Sequence, residues 1–141
     1  MKARIYLSGP LFSEAEIAWG RRVKASIEEA LQEVDVIWPH ELAEGSPAEI
    51  FRANLRALDD CEMMVAILDG PQVDDGTAWE IGYFHAKGRK VLGIRTDFRR
   101  AGESENSRVN LMVEISCFAL AESIEQLVSV LGGVLSERAV G

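Results

Sequence analysis

Met63-Met64-Val65-Ala66-Ile67-Leu68, followed by Asp69-Gly70-Pro71, is the stretch that decides the fold. Its apolar residues run on without a polar interruption, which reads as a strand buried on both faces. Asp-Gly-Pro reads as the turn that stops it. A strand covered on both faces belongs to a sheet with helices above and below, and the flanking sequence supplies them. On the N-terminal side, Ser46-Pro47-Ala48-Glu49 has capping-box spacing with proline at the first helical position, and predicts a helix to about Asp60. On the C-terminal side, Thr77-Ala78-Trp79-Glu80 has the same spacing and predicts a helix ending near Gly88, followed by a strand over Lys90–Ile94.

Further out the alternation continues. Ala3–Ser8 predicts a first strand that ends in the turn Gly9-Pro10. Ser13-Glu14-Ala15-Glu16 opens a helix to about Glu33, with Ile17, Val23, Ile27, Ala30 and Leu31 largely on one side. A short strand covers Asp35–Trp38 and stops at Pro39. Arg95–Arg108 is a polar loop, Asn110–Glu114 is left between loop and helical turn, Cys117–Leu120 is a short last strand, and Ser123–Val134 is a closing helix with a frayed end. Strands alternating with helices predict an α/β fold. The expected architecture is a flavodoxin-like three-layer sandwich, a five-stranded parallel sheet in the order 2-1-3-4-5, within a single domain over residues 1–141. Ligands in such sheets bind beyond the carboxyl ends of the strands, near the switch in strand order. That rule selects Ser8–Phe12, Asp69–Glu80 and Arg95–Arg108.

Composition narrows the function classes. The 141 residues carry 15 basic and 23 acidic side chains, a formal charge of −8, which disfavours nucleic-acid partners. No apolar stretch approaches the length of a membrane span, and the opening Met1-Lys2-Ala3-Arg4 lacks the pattern of a secretion signal. Cys61 and Cys117 have neither CxxC spacing nor nearby histidines and read as reduced, partly buried thiols. A cytoplasmic setting is expected. His40 and His85 show no metal-ligand spacing, so no metal site is expected.

Chemistry concentrates in Asp74-Asp75-Gly76-Thr77-Ala78-Trp79-Glu80. Two readings stand side by side. In one, Glu80 reaches back to cap a helix opened by Thr77. In the other, the positive end of that helix keeps Glu80 ionised, and the carboxylate attacks a sugar carbon as in retaining glycosidases. Asn54 shares an apolar helical stripe with Ile50, Phe51, Leu55 and Leu58, so its amide needs either a backbone partner or a pocket to border. Tyr6 points opposite to Ile5 and Leu7. Arg95, Arg99, Arg100 and Arg108 make their loop locally basic, either as a solvated segment or as help for a 5′-phosphate.

Ile5-Tyr6-Leu7-Ser8-Gly9-Pro10-Leu11-Phe12, Asp74 through Tyr83, and Asn110-Leu111-Met112 together resemble the nucleoside 2-deoxyribosyltransferase family, over roughly Lys2 to Phe118. The D-x-G-T-x-x-E-x-G segment is the most specific part. The resemblance implies a flavodoxin-like sheet and a nucleophile at Glu80, with Asp74 near the leaving base and Tyr6 positioning nucleophile or sugar. It places Ser8, Gly9, Pro10, Phe12, Asn54, Gly76, Thr77 and Met112 around the substrate. It implies that Asn110 reaches across a subunit interface to a neighbouring site, hence a homodimer or a dimer-based oligomer. The implied partners are a 2′-deoxynucleoside and a free nucleobase, in nucleotide salvage, with no metal or organic cofactor. Asn54 stands where some members carry an aspartate. An amide is not a general acid, so either base protonation falls to Asp74 or the substrate base differs. A related branch hydrolyses deoxynucleoside 5′-monophosphates. Leu11–Glu14 offers no arginine for a phosphate, which favours free nucleosides, while the arginines of the 95–108 loop keep the hydrolase open. A nucleoside- or nucleotide-binding module without turnover is the non-enzymatic alternative; it has no need of Asp74 and Glu80 together.

Overall fold

A computed structural model describes residues 2–140. Five strands form one all-parallel sheet: β1 (Ala3–Ser8), β2 (Val34–Ile37), β3 (Met63–Ile67), β4 (Lys90–Ile94) and β5 (Ala119–Ala121), in the order β2-β1-β3-β4-β5. The helices are α1 (Glu14–Ala30), α2 (Pro47–Asp60), α3 (Asp75–Ala86), α4 (Leu111–Ser116) and α5 (Ile124–Val140). The predicted topology is the observed one.

Strand alternation sorts the core into two layers. Ile5, Leu7, Met63, Val65, Ile67, Leu92 and Ile94 point to one face and pack against Val23 and Ile27 of α1 and Leu127 and Leu131 of α5. Tyr6, Met64, Ala66, Leu68 and Val91 point to the other and pack against Leu58 of α2, Ile81 and Phe84 of α3, and Val113 of α4. β3 is buried along its whole length, as a central parallel strand must be.

Local signals explain most element ends. The Ser13 and Ser46 side chains accept from the backbone N–H groups of Glu16 and Glu49 at 3.1 and 3.2 Å, and Pro47 occupies the first turn of α2. Gly70, with φ of +125°, takes the chain out of β3 through a conformation that L side chains avoid. The segment after the polar loop is helical: α4 begins at Leu111, capped by the Asn110 side chain. The last strand starts at Ala119, later than expected. The closing helix runs past Val134 to Val140, because burial of Leu127, Leu131 and Val134 against the sheet outweighs the poor helix propensity of Gly132-Gly133. Both cysteines are free, Cys61 buried and Cys117 half-buried. No helix among the described residues is long and apolar enough to cross a membrane.

Candidate active site

The strand order switches between β1 and β3, and the functional side chains collect there. Tyr6 and Ser8 lie two apart on β1, paired with Met64 and Ala66 of β3, so both hydroxyls point toward α3. Both residues are fully buried. A buried hydroxyl needs an acceptor, and each finds Glu80. The Tyr6 hydroxyl donates to Oε2, and Ser8 Oγ donates to Oε1 at 2.6 Å.

The start of α3 departs from the sequence expectation. Thr77 is not the cap. Asp74 is: its Oδ2 accepts the backbone N–H of Thr77 at 2.9 Å and the Thr77 hydroxyl at 3.0 Å. Aspartate is the stronger capping residue, and moving the cap three residues upstream removes any capping task from Glu80. It also places Glu80 beyond the first turn, where the positive end of a helix has little hold. The helix terminus therefore does not keep this carboxylate ionised, contrary to the expectation. Burial pushes the Glu80 carboxyl above its ordinary value of 4.5, the hydrogen bonds from Ser8 and Tyr6 pull it down again, and the Asp74 charge adds an upward push. Burial, then the Glu80 charge and the bond to it, hold the Tyr6 phenol far above its ordinary range, so it remains a donor.

A cleft of about 690 Å³ opens in front of Glu80, between α2 and α3. Gly9, Asn54, Asp74, Gly76 and Thr77 line it together with Glu80. The apolar stripe of α2 divides between cleft and core: Ile50, Phe51 and Leu55 line the cleft, while Leu58 is buried in the core at its base, and Asn54 is half-buried on the cleft wall. Gly76 matters through space: a Cβ there would stand 3.3 Å from Asp74 Oδ2. Phe51 and Trp79 also line the cleft, 52% and 50% exposed, with ring centroids 5.7 Å apart in an edge-on pair. Trp79 is not among the site residues expected from the sequence; an aromatic residue directly before Glu80 is the signal that could have pointed to it.

Several expected residues lie off the cleft wall. Phe12 is 81% exposed. Pro10 borders a separate depression beside Trp19 and Asp69. Ser8 is engaged with Glu80, which makes it a holder of the carboxylate more than a contact for substrate. Asn110 accepts from the Met112 N–H at 2.9 Å and donates to Glu103 Oε1 at 2.6 Å, and Met112 is exposed on α4. Among the described residues, no group of three or more His, Cys, Asp or Glu side chains is arranged to hold a metal ion.

The arrangement is a carboxylate steadied on both oxygens, with lone pairs to spare, at the wall of a largely apolar cleft that also holds a second carboxylate. An uncharacterized protein of Ureaplasma parvum serovar 3 is 31% identical over 117 residues, covering 70% of this chain and 73% of that protein. A conserved protein from Enterococcus faecalis superposes with a TM-score of 0.76 at 26% identity, over 92% of this chain and 96% of that one. A 2-deoxyribosyltransferase from Bacillus psychrosaccharolyticus shares the fold, with a TM-score of 0.73 at 24% identity, over 89% of this chain and 90% of that one. The sequence profile of the family described as nucleoside 2-deoxyribosyltransferase matches residues 5–112. The chain belongs to the nucleoside 2-deoxyribosyltransferase family.

Proposed function

We propose that this protein transfers a 2-deoxyribosyl group between nucleobases through a covalent ester on Glu80. The observation that carries the reading is the state of that side chain. It is gripped by Tyr6 and Ser8, free of its own helix terminus, and set on the wall of the cleft. A Glu80 oxygen attacks C1′ of a bound deoxynucleoside, and the bond from C1′ to the base nitrogen breaks with its electron pair going to the base. Asp74 keeps Oδ1 clear of the hydrogen bonds that engage Oδ2, so it is the group that meets the departing base. Asn54 contributes an amide able to donate to the base and accept from it, but not to protonate it. A nitrogen of a second base then attacks C1′, its proton passing to Asp74, as the bond from C1′ to Glu80 breaks and its electron pair returns to the carboxylate.

Two copies of the chain form the working unit in this reading. Leu111, Met112 and Ile115 present an exposed apolar face on α4, next to Asn110. A second copy seated there brings Asn110 to the neighbouring cleft.

One observation favours hydrolysis as a second outcome. In the single chain Phe51 and Trp79 are half exposed, so water reaches the cleft unless a partner covers it. Incubation with deoxyinosine and adenine, followed by chromatography, separates the readings. Deoxyadenosine is the expected product. Free deoxyribose with hypoxanthine means hydrolysis, and binding without any product contradicts both.

A further inference from the structure

Charge on the 95–108 loop does not balance locally. Arg95, the first residue after β4, is only 3% exposed. Its guanidinium donates to the carbonyls of Leu68, Gly70 and Arg99, all neutral acceptors. Its Nε is buried with no acceptor. None of the ion pairs among the described residues includes Arg95 or Arg100. A buried cation without a counter-charge is costly, and structures that contain one gain from an anion beside it.

A cavity of about 310 Å³ lies beside it, lined by Arg95, Arg99, Arg100 and Arg108 together with Asp97 and Glu122. Two of these arginines are neutralised. Arg99 forks onto Asp97 through Nε and Nη2 at 2.9 and 2.6 Å, and Arg108 pairs with Glu122 at 2.8 Å. Arg100 donates only to the Asn106 carbonyl, at 3.2 Å. Two guanidiniums, Arg95 and Arg100, are left without a carboxylate. The missing partner is a compact oxyanion of one to two negative charges with several acceptor oxygens, the chemistry that guanidinium forks recognise.

We propose that this cavity is a second binding site, for a phosphate-class anion, either inorganic phosphate or the phosphoryl group of a monoester. It shares no lining residue with the cleft in front of Glu80, so its ligand is distinct from the sugar proposed to react there. Arg95 also grips Gly70, at the head of the connection that leads to Asp74. Anion binding thus braces the segment that carries the α3 cap.

Isothermal calorimetry with potassium phosphate, against potassium chloride at equal ionic strength and pH, tests the site. The wild type is expected to bind phosphate saturably. Arg100→Ala, a surface change, and Arg108→Ala, which leaves Glu122 facing the anion, should each weaken binding by at least about tenfold. Circular dichroism confirms that both variants stay folded. A deoxynucleoside 5′-monophosphate titrated into the Glu80→Gln protein identifies the source. Weakening by Arg100→Ala together with displacement by inorganic phosphate assigns the site to a phosphate ester. Insensitivity to both, alongside intact phosphate binding, assigns it to free phosphate. No saturable phosphate binding beyond chloride, or binding unchanged in both arginine variants, overturns the proposal.

Discussion

Asp74 holds Thr77 twice, through its backbone N–H and through its hydroxyl, both on the single oxygen Oδ2. That double contact starts α3 three residues before the Thr-x-x-Glu pattern suggests and leaves Glu80 to be held by β1. In the proposed mechanism it also divides the two oxygens of Asp74 between structure and chemistry. Asparagine caps as well as aspartate but carries no proton to exchange. Asp74→Asn is therefore expected to keep the melting temperature of the wild type and to lose most of its turnover. Asp74→Ala should lose turnover and about 1 kcal/mol of stability as well. Thermal unfolding beside initial rates checks this; an active Asp74→Asn protein removes Asp74 from the chemistry.

In the proposed mechanism Ser8 and Tyr6 set the pH range of activity. Burial raises the Glu80 pKa and these two hydrogen bonds lower it. Attack requires the ionised form, so kcat/KM should rise with pH through a limb above 4.5, the ordinary value for glutamate. Ser8→Ala or Tyr6→Phe removes a downward pull and moves that limb to higher pH. Each hydrogen bond to a charged group contributes about 1.5–3 kcal/mol, so rates below the limb should fall roughly tenfold to hundredfold and recover partly above it. A limb that stays in place, or moves down, contradicts the assigned role of these hydroxyls.

Stability should respond to Glu80 in the opposite direction from activity. A carboxyl whose folded pKa is raised contributes stability below its unfolded pKa and loses that contribution as pH rises through the folded value. At neutral pH the wild type carries the cost of a buried charge. Glu80→Gln is expected to be inactive yet at least as thermostable at pH 7, with the difference closing as pH falls below 4.5, the ordinary carboxyl value. A clear loss of melting temperature at pH 7 would instead mark Glu80 as a structural residue.

The α4 face supplies a prediction about assembly. Ile115 is 76% exposed beside Met112 and Leu111. Ile115→Lys should leave the monomer folded, shift the protein to a smaller species in light scattering, and lower turnover, because Asn110 no longer reaches a neighbouring cleft. A monomeric wild type with full activity would rule out a shared site.

Much of the fold is legible in the sequence alone, and the reasons are local. β1 and β4 keep their predicted bounds, Ala3–Ser8 and Lys90–Ile94, because mainly apolar runs and adjacent turn residues both mark them. The start of α3 is not legible, because Thr77-x-x-Glu80 imitates a capping box; deciding between two caps requires knowing what else competes for Glu80. The competitors are Ser8 and Tyr6, 72 and 74 positions away, and no local pattern announces contacts of that range. The α2 stripe is visible as apolar, but periodicity does not say whether a stripe faces a core or a cleft. Phe51, half exposed beside Trp79, faces the cleft, while Leu58 two turns on is buried in the core.

The covalent step is the claim on which the rest of the functional account depends. Rapid quenching of the protein with deoxyinosine and no acceptor base, followed by peptide mass mapping, addresses it directly. The account predicts one deoxyribosyl increment on the peptide containing Glu80, absent in Glu80→Gln and discharged when adenine is added. Turnover that proceeds with Glu80 unmodified at every quench time, or an increment on a different residue, would contradict it.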